Sequence, residues 1–299
     1  MATALSHYLE SVRENLRLDH SVEREVIQEL ETHIEDELQE LKEAGLSEEE
    51  AADTCLTLLG SAKLVARQIY EAHSQGSWAQ ALFAAMPHLL FGLLFALNWW
   101  RGVIWLLGML VLILGMAVYG WWRGKPAWLF PWLGYSLLPV VAAGLLLLYL
   151  PEGWSWVAIL FYIPMALWLV FSITVKTIKK DWLYGSLMLL PLPIITGWVL
   201  AVGPVDKFPE YWLQRLQDLA PWIGLSFLAL AVAVATFIRL RKRWLKISVL
   251  VISGLLTLAL VAYYAEGSLS IPTLLILIIV MLILLLSPAL VERTLRHTR

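Results

Sequence analysis

His88 is the residue whose type and position most clearly point to chemistry in this chain. It follows Pro87 near the middle of an apolar run, and no Asp, Glu, Lys or Arg lies inside any of the long apolar runs between Trp78 and Leu290. An ionisable side chain surrounded by lipid is costly, so it marks an ion path or a substrate site by default. His88 therefore predicts an intramembrane polar site for a proton or a ligand. The alternative is a neutral imidazole hydrogen-bonded to a neighbouring helix or to the backbone that Pro87 frees.

A second candidate is a basic cluster formed by Arg239, Arg241, Lys242 and Arg243. The first 75 residues carry the opposite charge, with 6 Lys/Arg against 17 Asp/Glu, a net of −11, while residues 76–299 hold 16 and 7, a net of +9. Exposed ion pairs are worth about 0–1 kcal/mol each and weaken with salt. The charges therefore predict that the acidic segment docks reversibly on the basic cluster. The alternative is that both charge sets serve only solubility and membrane topology.

Other arrangements that carry chemistry are weak or missing in the sequence. Glu29, His33 and Asp36 or Glu37 lie about one turn apart on a predicted helix and could touch a metal, but such a pattern is far more often a solvated acidic face. The single cysteine, Cys55, excludes an intramolecular disulfide and a cysteine-based metal site. No glycine-rich phosphate loop and no Ser/His/Asp pattern appears. We therefore expect no enzyme, no cofactor, no metal and no direct binding of nucleic acid by the acidic segment.

The elements that position His88 and the basic cluster are apolar runs about as long as a bilayer is thick. The chain is 60% hydrophobic and 15% charged, with a mean hydropathy of +0.71, and roughly 20 apolar residues in a helix span a membrane. The runs do not alternate as barrel strands would. The sequence thus predicts an all-α, polytopic membrane protein with eight spans and a small N-terminal helical domain. The predicted spans are 79–98, 103–121, 127–150, 155–175, 183–203, 221–238, 247–264 and 271–290.

The orientation of the spans follows from the placement of Lys and Arg, because basic residues near span ends resist translocation. With the N-terminus in the cytoplasm, the inner links and the C-terminal tail hold 13 basic residues and the outer links hold 3. The first 15 residues lack the basic and apolar regions of a cleavable signal peptide. We therefore predict a multi-pass protein of the inner, or cytoplasmic, membrane with both termini in the cytoplasm.

Two irregular regions of the membrane part are open to two interpretations each. The outer link 204–220 has apolar residues at helical spacing and predicts either a short helix lying on the outer leaflet or an ordered loop. Pro164, Pro191 and Pro193 interrupt the fourth and fifth spans. Such kinks line a cavity in some membrane proteins, since the freed carbonyls need partners, and are inert in others.

The acidic segment 1–75 predicts four helices and forms a domain separate from the membrane part, 76–299. Gly45 suits the left-handed position that ends a helix, and Ser47 with Glu50 forms a capping box for the next one. Ser61 follows Gly60 and can cap the last helix. The long second helix has one apolar stripe at spacings of three or four residues, which predicts a buried face: Ile27, Leu30, Ile34, Leu38 and Leu41.

Four stretches of this domain carry a family resemblance. A Tyr8-Leu9 start, the helix centred on 29–34, the run 43–51 and the run 58–62 together resemble the HAAS family of small cytosolic helical domains and the related permease prefix domain. The match covers about residues 5–73. The resemblance implies a regulatory or signalling domain without catalytic residues, of the kind that precedes membrane segments in bacterial proteins and often accompanies PadR-type transcriptional regulators.

These observations favour a regulatory function. The membrane part would sense the state of the envelope or a lipophilic compound, and the N-terminal domain would pass this to a PadR-type regulator or another cytosolic protein. The main alternative is a permease-like or accessory subunit of a transport or export system, and a further one is a structural anchor of a membrane complex. The expected partners are the lipid bilayer, the cytosolic protein and a second copy of the chain.

Overall fold

The computed structural model of the protein describes residues 2–16, 20–138, 181–202, 209–265 and 269–297, together with residues 156, 158–162, 164–165, 168–169, 172–173 and 175. Within these residues the regular structure is helical, with twelve α-helices, so the predicted all-α fold is confirmed. The chain forms two compact units. The first is Met1–Gln75 with Arg241–Arg243, which we call the head unit, and the second is Gly76–Leu240 with Trp244–Arg299, the membrane unit.

The head unit contains four helices: α1 (Ala2–Asn15), α2 (His20–Glu43), α3 (Glu48–Leu59) and α4 (Ala62–His73). Helix α1 packs on α4, and α2 packs on α3. The centre of the α1–α4 contact is formed by Val12, Leu16 and Ala66. Two side chains of α2, Ile27 and Leu30, pack against these residues. Two residues of the predicted stripe, therefore, help to close this core, as an amphipathic helix should.

The helix ends in the head unit follow local signals in the sequence. Gly45 has a φ of +95°, a conformation that glycine adopts without strain. The Ser47 side chain accepts a hydrogen bond from the Glu50 backbone N–H, and the Glu50 carboxylate accepts one from the Ser47 backbone N–H, which confirms the capping box. Ser61 stands at the N-cap of α4 but makes no side-chain capping bond there.

The membrane unit contains the other eight helices, and a short 3₁₀ turn (Trp99–Arg101) joins the first two of them. In chain order they are α5 (Trp78–Ala96), α6 (Val103–Trp122), α7 (Leu129–Ser136), α8 (Trp182–Leu189), α9 (Pro191–Val202), α10 (Pro209–Arg239), α11 (Arg243–Tyr264) and α12 (Ile271–His297). A single π-helical turn covers Ala158–Tyr162.

Six stretches among the described residues are long and apolar enough to cross a membrane: Trp78–Ala96, Val103–Trp122, Trp182–Val202, Tyr211–Arg239, Arg243–Tyr264 and Ile271–Leu290. They correspond to six of the predicted spans, so the protein is a helical multi-span membrane protein. Of the third predicted span, 127–150, residues 139–150 lie outside the described residues, as do 8 of the 21 residues of the fourth, 155–175.

The span Trp182–Val202 lies at the centre of the membrane unit and is broken at Pro191. It is the most buried of the six, with 72% of its apolar window inside the protein, against 17% for α6 and 22% for α12. Proline lacks the N–H that would continue the helix, so α8 ends and Pro191 starts α9. Helices α6 and α12 thus expose broad apolar faces, as helices at the lipid boundary of a membrane protein do.

Helix α10 starts earlier than the sequence predicts. It runs without a break over Pro209–Arg239, with Pro221 inside it, whereas we expected a span from 221 and a separate interfacial helix or loop before it. Pro221 removes only the one hydrogen bond that its missing N–H would make to Gln217. Leu216, Leu219 and Ile223 are buried on both sides of it, and this packing keeps the helix continuous.

Helices α5 and α10 form an antiparallel pair. At one end the Gly76 N–H donates to the Ile238 carbonyl over 2.9 Å. Near the middle, Gly92 and Gly224 bring the two backbones together, because a Cβ on Gly224 would stand only 3.1 Å from the Gly92 carbonyl oxygen. Glycine permits this close approach between membrane helices. The pair positions His88, which lies on α5 between the two contacts.

Candidate functional sites

His88 lies in the core of the membrane unit, where no described residue is its hydrogen-bond partner. Its side chain is fully buried on α5, and neither ring nitrogen has a partner among the described residues. Buried polar groups are nearly always hydrogen-bonded. The expected bond of the imidazole to a neighbouring helix or to the freed backbone is thus not found among the described residues.

Pro87 leaves one backbone carbonyl without its helical donor, and this carbonyl accepts a hydrogen bond from a tryptophan. In an α-helix the N–H of residue 87 would donate to the carbonyl of Phe83, but proline has no N–H. The indole Nε1 of Trp132, on α7, donates to this carbonyl over 2.8 Å. This bond satisfies the Phe83 carbonyl and leaves His88 without the partner that we expected for it.

Tyr135 lies beside His88 and is likewise a buried polar side chain. The two ring centres are 5.0 Å apart and the rings are nearly perpendicular. Tyr135 is 1% exposed, and its hydroxyl also lacks a hydrogen-bond partner among the described residues. Phe91 and Phe227 complete the aromatic surroundings, at 4.5 Å and 6.2 Å from the Tyr135 ring centre. Two unpaired polar groups thus lie side by side in an apolar enclosure.

Tyr135 was not identified from the sequence. Tyrosine is common near the ends of membrane helices, and nothing in its position relates it to a histidine 47 residues earlier. The one available signal is that Trp132 and Tyr135 are three residues apart, a spacing that places two side chains on one face of a helix. Both face α5, where Trp132 binds the backbone and Tyr135 meets His88.

The pair can exchange hydrogen bonds with a small guest but offers little else. A neutral imidazole has one donor and one acceptor, and a phenol hydroxyl donates one bond and accepts two. The residues in ring contact with the pair, Phe91 and Phe227, carry no charge. This arrangement favours an uncharged polar guest.

Two other buried side chains of the membrane unit that can carry a charge, Lys246 and Asp181, escaped the sequence analysis. Lys246, which we expected in an inner link, is fully buried on α11, and its Nζ lies 5.2 Å from the centre of the Phe237 ring. Helix α11 starts at Arg243, four residues before the predicted span, so Lys246 falls on the buried face one turn before Leu250. Asp181, 1% exposed, caps α8 by accepting from the Leu183 N–H over 3.2 Å.

The basic cluster is divided between the two units. Arg241, Lys242 and Arg243 belong to the head unit. There the Arg241 carbonyl accepts a hydrogen bond from the Ser74 hydroxyl and its Nε donates to the Gln75 side chain. The guanidinium of Arg243 lies 5.2 Å from the centre of the Tyr70 ring. These contacts are with uncharged side chains in the last turn of α4 or just after it, and Lys242 is exposed.

Arg239 belongs to the membrane unit. It donates through Nη1 to the Gly76 carbonyl over 2.9 Å and lies over the Trp78 ring at 4.4 Å. Its partners are thus the first residues of the membrane unit, while those of Arg241 are the last residues of the N-terminal segment. Arg239 contacts Gly76 and Trp78 within the membrane unit, and Arg241 contacts Ser74 and Gln75 within the head unit.

The acidic residues of the head unit show no metal site. Glu29, His33 and Asp36 are exposed on α2, and within the described residues no group of three His, Cys, Asp or Glu could hold a metal ion. Cys55 is buried, and burial, with the nearby Glu37 charge, raises the pKa of its thiol. A thiol held in its protonated form is a poor nucleophile and metal ligand.

Comparison with known proteins gives no further assignment. No protein-family model, no curated protein and no solved structure matches this chain. Statements about its function therefore rest on its own residues, foremost the His88–Tyr135 pair and the segment 239–243.

Proposed function

We propose that this protein is a regulatory protein of the bacterial inner membrane, with eight spans and both termini in the cytoplasm. Its head unit binds a cytosolic protein, and a change within the membrane unit alters that binding. The eight-span count adds the third and fourth predicted spans to the six candidate spans. The orientation rests on the excess of Lys and Arg in the inner links.

The observation that carries this proposal is that a segment following the end of α10 in the chain belongs to the head unit. This segment is Arg241–Arg243. Ser74 and Gln75 bond to Arg241, and Tyr70 meets the Arg243 guanidinium. Within the head unit, the segment 241–243 is therefore joined to the end of α4 by a few side-chain contacts. Such bonds are individually weak, which suits a contact that must be made and broken.

The resemblance of residues 5–73 to HAAS-type domains supports a protein partner and not a substrate. It points to a PadR-type transcriptional regulator or a similar cytosolic protein. The head surface offered to such a partner is acidic: Glu25, Glu29, Glu31, Glu35 and Glu40 are all exposed on α2. A second copy of the chain is the other candidate partner.

The test compares two sets of substitutions in the full-length chain. Arg241→Ala and Arg243→Ala remove the contacts with Gln75 and Tyr70, whereas Lys242→Ala removes the same charge from the same segment at an exposed position. In the host cell we expect gene deletion to change transcription of a defined set of genes. Arg241→Ala and Arg243→Ala should reproduce or invert this change, and Lys242→Ala should behave as the wild type. Three variants with identical transcription would contradict the proposal.

A transport or export component is the second candidate, favoured by the break at Pro191 in the most buried span. Freed carbonyls at such a break can line a pathway. If this is the function, deletion should change the accumulation of lipophilic compounds in the cell. A chain that lacks residues 1–75 should still restore it, whereas a regulatory function requires the head unit.

A further inference from the structure

We propose that His88 and Tyr135 form a binding site, within the membrane unit, for one uncharged hydroxyl group, which arrives either as water or on a membrane-soluble alcohol. The site goes beyond the regulatory function above and exists whether or not the protein regulates transcription. It also involves none of the residues of segment 239–243.

The first argument is that two neighbouring polar groups are both unpaired. The imidazole of His88 is fully buried and Tyr135 is 1% exposed, and neither ring nitrogen nor the hydroxyl has a partner within the described part of the chain. A buried polar group without a hydrogen bond is costly. One such group could be an isolated cost of packing, but two with ring centres 5.0 Å apart indicate a shared third party.

The second argument is that two backbone carbonyls near the pair already accept hydrogen bonds from other side chains. Pro87 leaves the carbonyl of Phe83, five residues before His88, without its helical donor. Trp132 donates to this carbonyl. The neighbouring hydroxyl of Ser136 donates to the Leu133 carbonyl over 2.7 Å. The backbone around the pair is therefore satisfied by other side chains, and the pair itself remains open.

The chemistry of the guest follows from what the pair offers. The imidazole and the phenol each need both a donor and an acceptor. A ketone only accepts, and a carboxylate brings a charge that Phe91 and Phe227 cannot solvate. A hydroxyl both donates and accepts. Water and an alcohol headgroup share this chemistry and differ only in the apolar remainder of the molecule.

The test is a double-mutant cycle in the purified full-length protein, with the midpoint of thermal unfolding as the readout. Tyr135→Phe removes one hydroxyl and keeps the ring, and His88→Leu removes the imidazole at similar volume. If a hydroxyl bridges the pair, each single substitution leaves the other group unpaired. We expect each to lower the midpoint by about 2–6 °C. The double variant should lose clearly less than the sum, because no polar group is then left unpaired.

If the site is empty, each substitution should change the midpoint of thermal unfolding in the opposite direction. Removing an unpaired buried group should then raise the midpoint, and the two effects should add. Either result, rising midpoints or simple additivity, would overturn the proposal. Ser226→Ala serves as the positive control, because Ser226 accepts a hydrogen bond from Trp198 Nε1 over 2.9 Å and its loss should destabilise. Tyr263→Phe, at a tyrosine that is 76% exposed, controls for removal of a hydroxyl.

A second measurement distinguishes the two sources of the hydroxyl. Benzyl alcohol is added to the wild type and to the double variant, and the two midpoints are compared at each concentration. If an alcohol is the guest, the wild type gains stability relative to the double variant as the concentration rises. If water is the guest, the difference between them stays constant while the coupling between the single substitutions persists.

Discussion

The indole N–H of Trp132 donates to the carbonyl of Phe83 over 2.8 Å. This is the carbonyl that Pro87 deprives of its helical donor, so a side chain of α7 completes the hydrogen bonding of α5. A proline within a membrane helix is tolerated when a neighbouring helix satisfies the freed group. The bond therefore ties the position of α7 to the presence of Pro87.

Substitution of Trp132 should show that the contribution of this bond to stability depends on Pro87. Trp132→Phe leaves the Phe83 carbonyl buried and unpaired, which should lower the free energy of unfolding by about 1–3 kcal/mol in addition to the loss of packing. In a Pro87→Ala background residue 87 regains an N–H for the same carbonyl, so Trp132→Phe should be less costly there. Thermal unfolding of the four proteins measures the difference. Equal losses in both backgrounds would show that only packing was affected.

The close packing of α7 on α8 predicts that Gly134 cannot be replaced by a larger residue without loss of stability. A Cβ on Gly134 would overlap the carbonyl oxygen of Met188, whereas nothing lies within 4 Å of a Cβ on Gly108 of α6. Gly134→Ala should therefore destabilise the protein by about 1–3 kcal/mol, because backbone must shift. Gly108→Ala should cost nothing, since alanine is the better helix former. Unfolding midpoints that fall equally for both would contradict this account of the contact.

The topology predicts opposite sides for two exposed positions. Leu213, on the first part of α10, is 48% exposed, and Lys242 is exposed in the turn after the helix. In a Cys55→Ala background, a membrane-impermeant maleimide should label Leu213→Cys on intact cells. Lys242→Cys should be labelled only after the membrane is opened. Labelling of both positions from one side would contradict the predicted orientation.

Cys55 should report on the folding of the head unit. Burial and the Glu37 charge raise the pKa of its thiol, and the thiolate is the form that reacts with maleimides and disulfides. In the native full-length chain at pH 8 we expect much slower labelling than after denaturation. Arg241 bonds to Ser74 and Gln75, which follow α4 and are not part of α2 or α3, so Arg241→Ala should leave the labelling rate unchanged. Fast labelling of the native protein would show that α2 and α3 separate readily.

The capping box at the start of α3 should make that helix sensitive to acid. The Ser47 hydroxyl and backbone N–H donate to the Glu50 carboxylate over 2.7 Å and 3.0 Å, and these bonds lower its pKa. A lowered pKa stabilises the folded form above the ordinary value of 4.5, and this contribution is lost as the pH falls through the lower value of the folded protein. The protection factors of the α3 amides against hydrogen exchange should therefore fall in this range. Glu50→Gln should remove the pH dependence, and Glu49→Gln should keep it.

The local features of this fold were predictable and the tertiary ones were not. Gly45, Ser47 and Glu50 act through residues within a few positions of them, so the helix ends of the head unit could be derived. The spans follow from apolar length alone. The continuation of α10 through Pro221 depends on packing around Leu219 and Ile223, which no local rule supplies.

The candidate site illustrates the same limit. His88 was identifiable because an ionisable residue stands out in an apolar run. Its neighbour Tyr135 was not, since tyrosine and tryptophan are ordinary in membrane proteins and their partners lie on another helix. Lys246 was assigned to a link because the predicted span began one residue after it, although the helix begins at Arg243. Because the start of the helix was predicted four residues too late, a buried lysine was predicted to be exposed.

The pairing of α5 with α10 also restricts how the membrane unit can move. Gly76 bonds to Ile238 at one end, Gly92 meets Gly224 near the middle, and the Arg101 guanidinium donates to the Gln217 side chain beyond the other end. Sliding one helix past the other by a turn, about 5.4 Å, would break all three contacts at once. The two helices are thus locked in register and must travel as one block. A conformational change that preserves these contacts moves the block by tilt or rotation against the remaining helices, and not by a piston stroke of α5 or α10 alone.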